Sequence, residues 1–177
     1  MVEVADDAAA VYVFTSGTAG APRAAVLSHG NLLSNIRQTV ASGAEGSVVP
    51  SDVVYGVLPL HHIFGLNVVL GLSLARGAAV VLVQRFDPST ALDTFVERGV
   101  TVVPGAPPMW VAFSHFDEVP ANAFSGVRLA LTGAAKMNED AMRRLKDRFG
   151  VTVLEGYGLT EAAPIVTSSA EIGRAHV

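Results

Sequence analysis

The chain of 177 residues is long enough for one domain with a sizeable core. Half of its residues are hydrophobic and 16% are charged, which excludes an intrinsically disordered chain. The net charge of −4 gives no electrostatic footprint for nucleic-acid binding, and the absence of cysteine excludes disulfides, thiolate metal sites and cysteine nucleophiles.

Short apolar runs rich in β-branched residues alternate with longer stretches whose apolar residues have helical spacing. The predicted strands are residues 11–14, 52–58, 78–83, 100–103, 127–131 and 151–154. The predicted helices are residues 31–41, 63–75, 88–98 and 139–149. We expect Ser28 or Asn31 to cap the first helix, Asp87 the third and Asn138 the last, with Pro88 at the first position of the third helix.

The continuous Val- and Leu-rich strands, separated by helices, predict an α/β fold with a mostly parallel sheet flanked by helices. Pro104 is expected to end the strand before it.

The most apolar stretch, 63–83, contains Asn67, Ser73 and Arg76, so it predicts a buried helix and strand rather than a membrane span. The first residues lack the regions of a signal peptide. Ligands of such sheets bind beyond the carboxyl ends of the strands, so the loops there are the candidate sites.

The first candidate loop, Thr15-Ser-Gly-Thr-Ala-Gly-Ala-Pro-Arg23, follows the first predicted strand. Its glycines let backbone N–H groups turn inward as a nest for anions, and the hydroxyls of Thr15, Ser16 and Thr18 are further donors. Arg23 is suited to a bidentate contact with phosphate. The Gly-Lys-Ser/Thr ending of a Walker A loop is absent. The segment is therefore a candidate phosphate loop, and a polar hairpin or strand-to-helix loop is the alternative.

The second candidate loop, Gly156-Tyr-Gly-Leu-Thr-Glu161, follows the last predicted strand. Its sixth position is Glu161, whereas a dinucleotide-binding fingerprint has glycine there. An acid repels phosphate unless a divalent cation lies between them, so Glu161 is a candidate Mg²⁺ ligand and Thr160 a candidate phosphate donor. Tyr157 offers a flat ring for stacking on a base. The alternative is a glycine-rich loop with a core tyrosine.

Two further loops follow predicted strands. Pro59-Leu-His-His-Ile-Phe-Gly65 contains adjacent histidines, which point in different directions and do not form a metal pair. On the residues alone, a structural or merely exposed histidine is favoured over a functional one. Thr132-Gly-Ala-Ala-Lys136 has small residues that let a flat ligand lie close to the backbone, with a turn into the next helix as the alternative. No Gly-x-Ser-x-Gly elbow is present, so a serine hydrolase is not expected.

Together, these four segments resemble the adenylate-forming (AMP-binding) superfamily, which includes acyl-CoA synthetases, luciferase-type enzymes and peptide-synthetase adenylation domains. The resemblance covers residues 5–169 and implies a partial adenylation domain, the centre of the family's large N-terminal domain. The His-His-x-Phe-Gly form is similar to fatty-acid and related acid–CoA ligases. The resemblance therefore implies ATP-dependent activation of a fatty or other apolar acid to an acyl-adenylate, followed by thioester formation with coenzyme A.

The resemblance also implies a role for each matching position. The residues implied to cradle the β- and γ-phosphates of ATP are Thr15, Ser16, Gly17, Thr18, Ala19, Gly20 and Arg23. Those implied to bind the rest of the nucleotide are Gly133, Ala134 and Ala135, which border adenine and the acyl pocket, and Gly156, Tyr157 and Gly158, of which Tyr157 stacks on adenine. The implied catalytic residues are His62, which orients the substrate carboxylate, Thr160, which contacts phosphate, and Glu161, which ligates Mg²⁺.

Four positions depart from the family's usual pattern. The phosphate loop commonly ends in Pro-Lys-Gly, whereas here Arg23 and Ala24 follow the proline. Arginine keeps the charge but is larger and forked, and alanine has less backbone freedom than glycine. We therefore expect altered phosphate handling. Thr132 and Lys136 also differ from the commoner small or apolar residues.

The family's large domain extends beyond both ends of the matched segment, and a small C-terminal domain carries a catalytic lysine. We therefore expect the 177-residue chain alone not to catalyse adenylation. Residues 171–177 resemble the translation of a sequencing adapter and are expected to be a non-native tail. The resemblance implies a cytoplasmic enzyme with no nucleic-acid partner and no transmembrane segment, and peripheral membrane association of the whole protein stays open.

Two alternatives stay open at the level of sequence. One is an adenylation domain that loads a carrier-protein thiol instead of coenzyme A. The other is a non-catalytic nucleotide- or acyl-binding relative, in which Arg23 marks the loss of turnover.

Overall fold

The computed structural model describes residues 3–15, 23–42, 47–117, 119–120 and 122–168. The strands are β1 (Ala9–Thr15), β2 (Arg23–Ser28), β3 (Val53–Gly56), β4 (Ala79–Leu82), β5 (Val102–Gly105), β6 (Leu129–Thr132), β7 (Val153–Gly158) and β8 (Ile165–Ser168). The helical segments are α1 (His29–Ala41), a π-helix (Phe64–Gly71) continued by α2 (Leu72–Arg76), α3 (Pro88–Arg98), α4 (Pro107–His115), α5 (Glu139–Phe149) and a short 3-10 turn (Thr160–Ala162).

The larger of two sheets has six strands in the order β4-β3-β5-β6-β7-β8. Its first four neighbouring pairs are parallel, and only β7 with β8 is antiparallel. The predicted mostly parallel sheet flanked by helices is thus confirmed. Parallel strands place their carboxyl ends at one edge, so the loops after β3, β6 and β7 lie at the same side of the sheet.

Aromatic side chains from the helices form the centre of the main core. Phe113 packs edge-to-face on Phe124 at 5.5 Å between ring centroids and lies 5.9 Å from the ring of Trp110. The indole N–H of Trp110 donates to the backbone oxygen of Leu131 at 3.1 Å, so this buried polar group is satisfied. The aromatic cluster therefore holds α4 against the end of β6, next to the candidate loops.

The first predicted strand does not belong to the parallel sheet, and that part of the prediction is wrong. β1 pairs with β2 as a separate antiparallel hairpin. Along β1, Val13 is buried while Tyr12 and Phe14 are exposed. This alternation is typical of a sheet with one covered face, unlike β3, β5 and β6 of the larger sheet, which are largely buried.

The covered face of the hairpin forms a second, smaller core. Val13 and Leu27 pack with Ile63, which precedes the π-helix, and with Ala163, which follows the 3-10 turn. Because these side chains come from three separate stretches of chain, their packing brings three of the candidate loops to one end of the molecule.

The predicted helix at 63–75 is present, but its first part is a π-helix. The N–H of Leu72 donates to the backbone oxygen of Asn67, five residues earlier. A Cβ on Gly71 would lie 2.7 Å from the side-chain oxygen of Asn67, so glycine leaves room for that buried carboxamide. Single π-helical turns occur often at functional sites. No helix within the described ranges is long and apolar enough to cross a membrane.

The sequence pattern does not predict three elements of the structure, which are β2, α4 and β8. The pair Pro107–Pro108 suggests a helix breaker, but proline fits the first turn of a helix, where the N–H has no helical partner. In β2 only Leu27 is buried, and β8 has no buried residue, so neither has the pattern of a core strand.

Pro104 does not end its strand, because β5 continues to Gly105. Beyond Val102 the register pairs β5 with β6 but not with β3. A residue without an N–H is tolerated where the ladder is incomplete.

The helix caps follow the predictions. Ser28 Oγ accepts from the N–H of Asn31 at 3.1 Å, and Asn31 Oδ1 accepts from the N–H of Ser28 at 3.0 Å, which is a complete capping box. Asp87 caps α3 and Asn138 caps α5, each through a side-chain oxygen that accepts a backbone N–H at 3.0 Å.

At the opposite edge of the sheet, one buried carboxylate joins the amino ends of three strands. Asp52 accepts hydrogen bonds from the N–H of Val49 and the hydroxyl of Thr101, both at 2.7 Å, and from Arg128 Nε at 2.8 Å. Asp52 precedes β3, Thr101 precedes β5 and Arg128 precedes β6. The network therefore fixes the strands relative to one another at the edge remote from the candidate loops.

Burial by itself raises the pKa of the Asp52 carboxyl, but the hydrogen bonds from Arg128, Val49 and Thr101 outweigh it. The pKa is therefore lower than its ordinary value of 3.8. A carboxyl whose pKa is lowered by folding stabilises the folded state above its unfolded pKa. That stabilisation is lost as the pH falls through the folded pKa.

We expect Asp52→Asn to lower the free energy of unfolding at pH 7 by about 1.5–3 kcal/mol, because it removes a charged acceptor of several hydrogen bonds. The difference from wild type should shrink as the pH falls from 3.8, the ordinary pKa that applies to the unfolded chain, through the lower pKa of the folded state. Urea unfolding followed by the fluorescence of Trp110, the single tryptophan, measures both effects. Asp93→Asn, at an exposed position of α3, is the control. Equal stability of wild type and Asp52→Asn at pH 7 would contradict the prediction.

Candidate active site

A cavity of about 210 Å³ lies beyond the carboxyl ends of β6 and β7. Its walls come from the loop after β3, the π-helix, the ends of β6 and β7, the 3-10 turn and β8. The predicted site residues that line it are His62, Gly133, Ala134, Gly156, Tyr157, Gly158 and Thr160. Loops that are far apart in sequence thus share one hollow at the sheet edge.

Small residues after β6 form the floor of this cavity. A Cβ on Gly133 would lie 3.2 Å from the ring of Phe64 and 3.4 Å from the backbone oxygen of Gly156, so glycine lets the chain pass close to both. Ala134 has a φ of 70°, a conformation that L-residues rarely adopt and that costs about 1–2 kcal/mol. Ala135 is exposed and lies outside the cavity lining.

One buried hydroxyl in the cavity wall has no partner within the described residues. Thr132 is 2% exposed, and its Oγ1 makes no hydrogen bond there. A buried polar group left without a partner costs about 1–3 kcal/mol, so such groups call for an explanation such as a ligand or an ordered water. The sequence marks Thr132 only as a departure from the usual pattern of the family that it resembles, and predicts no role for its hydroxyl.

The Gly-Tyr-Gly segment is part of a strand rather than a loop. β7 continues through Gly158 and pairs with β8, an edge strand that the sequence does not predict. Two residues apart on this strand, Gly156 and Gly158 both line the cavity. Tyr157 is 64% exposed, so its ring is accessible for stacking. The placement of this segment after the strand is therefore wrong, although its position at the cavity is as predicted.

Thr160 and Glu161 lie on a tight turn between β7 and β8. The turn closes on itself, because Ala163 N–H donates to Thr160 O at 3.1 Å and Leu159 N–H donates to Pro164 O at 3.1 Å. Thr160 lines the cavity, whereas Glu161 is exposed beside it and has no hydrogen bond or ion pair within the described ranges.

Two buried asparagines hold this turn from outside. Asn35 on α1 donates to Ala162 O at 3.2 Å and to Ile165 O at 2.9 Å. Asn67 on the π-helix donates to Ala163 O at 2.7 Å. The sequence marks Asn67 only as a polar residue in an apolar stretch and gives no signal for Asn35. Their partners in the turn are about a hundred or more positions away.

His62 lies at the rim of the cavity with its ring oriented by the backbone. Its Nδ1 accepts the N–H of Phe64 at 3.2 Å, so in the neutral ring the proton is on Nε2. The ring is exposed, and its Nε2–H is a donor for a ligand. The exposure of the ring agrees with the expectation from the residues alone, and its place at the rim agrees with the role that the resemblance implies.

The two described ends of the candidate phosphate loop are adjacent. Thr15 and Arg23 are paired across the hairpin, and Thr15 Oγ1 donates to Arg23 O at 3.4 Å. Neither residue lines the cavity. The residues predicted between them, Ser16, Gly17, Thr18, Ala19 and Gly20, lie outside the described residues, as does the predicted tail at 171–177.

A second cavity, of about 490 Å³, lies between α1 and the sheet. Its walls are apolar on the side of the sheet, with Val54 and Val102, and polar on the side of α1, with Asn35, Gln38 and Thr39. The residues that line both cavities are Val68, Leu131, Ile165, Thr167 and Ser168. The two spaces are therefore neighbours with a common wall.

No group of three or more His, Asp or Glu side chains in the described parts of the chain could hold a metal ion by itself. A protein-only metal centre is therefore not formed by these residues. A metal held largely by the oxygens of a ligand needs only one or two carboxylates.

Comparison with known proteins decides the family. The family model described as AMP-binding enzyme matches residues 1–176. The chain belongs to the AMP-binding enzyme family. The 4-coumarate–CoA ligase 3 of Arabidopsis thaliana is 36% identical to this AMP-binding chain over 170 residues, which are 95% of the chain and 30% of that relative. The long-chain-fatty-acid–CoA ligase of Bacillus subtilis is 31% identical over 159 residues, 88% of the chain and 28% of the relative.

A solved structure supports the same assignment. ATP-bound MatB from Rhodopseudomonas palustris matches the AMP-binding chain with a TM-score of 0.83 at 30% identity, covering 94% of this chain and 32% of that one. The chain thus spans about a third or less of the length of the relatives that it matches.

The glycines of β7 allow a paired test of the site geometry. A Cβ on Gly158 would lie 2.4 Å from the backbone oxygen of Pro164, whereas a Cβ on Gly156 would meet nothing closer than 3.7 Å. We expect Gly158→Ala to lower the free energy of unfolding by about 1–3 kcal/mol, because the turn must move away. Gly156→Ala is the matched control, with a smaller loss. Urea unfolding measures both, and equal stability of the two variants would refute the packing of the turn against β7.

Proposed function

We propose that the protein containing this chain activates a carboxylic acid with ATP and transfers the acyl group to coenzyme A. The observation that carries the proposal is the convergence of His62, Gly133 and the stretch from Gly156 to Thr160 on one cavity. The names of the two relatives, both CoA ligases, support the same reaction. In the first step, a carboxylate oxygen bonds to the α-phosphorus and pyrophosphate leaves. In the second, the thiol loses its proton, its sulfur attacks the acyl carbon and AMP leaves.

The nucleotide is proposed to lie along the ends of β6 and β7. The glycines there allow a flat base to approach the backbone, with Gly133 and Ala134 on one side and the accessible ring of Tyr157 for stacking. The hydroxyl of Thr160 is proposed to donate to phosphate. The hairpin ends, Thr15 and Arg23, lead into the residues proposed to hold the outer phosphates, Ser16 to Gly20.

His62 is proposed to orient the substrate carboxylate. The Phe64 N–H fixes its ring from the Nδ1 side, which leaves Nε2–H as the donor for a carboxylate oxygen. When the protein forms no covalent bond with the reactants itself, holding both of them in place supplies a large part of the rate enhancement.

Glu161 is the residue proposed to hold Mg²⁺. Its exposed carboxylate, with no partner in the described part of the chain, next to the phosphate donor Thr160, fits an ion bound mainly through phosphate oxygens. A bound Mg²⁺ would neutralise phosphate charge during the attack.

The acid is proposed to be apolar beyond its carboxylate, fatty or aromatic. The sheet side of the second cavity supports this, since it shares a wall with the first cavity and presents Val54 and Val102, whereas the α1 side of the cavity is polar. The relatives named for 4-coumarate and for long-chain fatty acids both act on acids with an apolar body.

The test of the function is acid-dependent exchange of pyrophosphate into ATP by the complete enzyme that contains this chain. We expect Thr160→Val to lower kcat/KM for ATP about 10- to 150-fold, because a hydrogen bond to a charged group contributes about 1.5–3 kcal/mol. Thr94→Val, on α3 away from the cavity, is the control. An unchanged response to ATP in Thr160→Val would show that the turn is not at the phosphates, and no exchange with any apolar acid would refute the function.

The 177-residue chain by itself is proposed to be inactive in the same assay, because it corresponds to 30% of the length of the Arabidopsis relative. Purified chain should give no exchange above the rate without protein, whereas the complete enzyme should. Pyrophosphate release by the chain alone would contradict this.

A further inference from the structure

The turn between β7 and β8 is held by carboxamides from two different helices. Asn35 makes three hydrogen bonds to it, since its Nδ2 donates to Ala162 O and Ile165 O, and its Oδ1 accepts from Ile165 N–H at 3.3 Å. Asn67 Nδ2 donates to Ala163 O and to Leu32 O on α1, at 2.7 and 3.2 Å. The two asparagines are 5% and 4% exposed. We call this pair, Asn35 and Asn67, the amide clamp.

The clamp acts on a segment that is already rigid. The backbone bonds from Ala163 to Thr160 and from Leu159 to Pro164 close the turn, so it moves as a unit. The side chains of the amide clamp supply the hydrogen bonds that join the turn to α1 and to the π-helix. Since buried hydrogen bonds are directional and costly to leave unmade, the clamp determines where the turn lies relative to the sheet edge.

Neither asparagine lines the cavity proposed for the nucleotide, whereas Thr160, Pro164 and Ile165 do. Asn35 lines the second cavity, and Asn67 lines neither. We propose that Asn35, together with Asn67, is a positioning residue that aligns Thr160 and Glu161 with the phosphates. The proposal rests on the function proposed above for these two residues.

The test compares two asparagines of α1 in the complete enzyme. Asn35→Ala should lower kcat of acid-dependent pyrophosphate exchange about ten- to a hundred-fold, because displacements of about 1 Å cost up to a hundred-fold. The Mg²⁺ concentration for half-maximal rate should rise, while KM for ATP should change less than about threefold because the residues proposed to contact the base and outer phosphates are untouched.

Asn31→Ala is the matched control. Asn31 belongs to the capping box at the start of the same helix and makes no contact with the turn. It should lower the melting temperature with kcat within about twofold of wild type. If Asn31→Ala loses as much kcat as Asn35→Ala, the effect is general destabilisation and the proposal is overturned.

A milder variant keeps the test decisive if Asn35→Ala does not fold. Asn35→Ser replaces a carboxamide that makes three hydrogen bonds with a single hydroxyl. It should still lower kcat by about threefold or more, with the same rise in the Mg²⁺ requirement. Wild-type kcat and Mg²⁺ response in a folded Asn35 variant would overturn the proposal while leaving the function intact. Absence of exchange in the wild-type enzyme would instead overturn the function.

A double variant tests whether the two asparagines act through one turn. If Asn35 and Asn67 both act through the placement of Thr160 and Glu161, the loss in Asn35→Ala/Asn67→Ala should be smaller than the product of the single losses. Losses that multiply would show independent effects and would overturn the shared role.

Discussion

The candidate site depends on hydrogen bonds from buried carboxamides to the backbone of one turn. After β7 the chain leaves the regular sheet, and its carbonyl groups need partners that the strands do not supply. Asn35 and Asn67 provide those partners from two helices that pack beside the turn. Within the π-helix, Gly71 leaves space for the carboxamide of Asn67. A polar constraint inside an apolar region therefore places the threonine and glutamate that the proposed chemistry needs.

The two edges of the sheet serve different purposes. At the amino edge, Asp52, Thr101 and Arg128 form a charged and fully hydrogen-bonded network that joins three strands. At the carboxyl edge, glycine and alanine replace larger side chains, Ala134 has a positive φ, and the hydroxyl of Thr132 has no partner within the described residues. Stability is thus concentrated at one edge, while the other edge keeps open space and strained or unsatisfied groups, as is common at binding sites.

The division into two cores links the hairpin to the rest of the site. The main core, built on aromatic side chains such as Phe113 and Trp110, supports the parallel sheet. The smaller core of Val13, Leu27, Ile63 and Ala163 connects the hairpin to the π-helix and to the clamped turn. Because the hairpin is not part of the parallel sheet, its position relative to the cavity depends on these few apolar contacts.

The sequence by itself determined the mostly parallel sheet, the helix caps and the loops that carry His62, Gly133 and Thr160, because apolar periodicity, capping residues and glycine-rich turns are local signals. It could not show that β1 lies in a separate hairpin. It did not predict β8, because an edge strand lacks a buried pattern. It did not predict α4, because Pro107 and Pro108 suggest a helix breaker although proline fits the first turn of a helix. Only the tertiary structure decided which loops share a cavity and what holds the turn. Asn35 and Ala162 are 127 positions apart, and a hydrogen bond over such a separation exists only once the chain has folded.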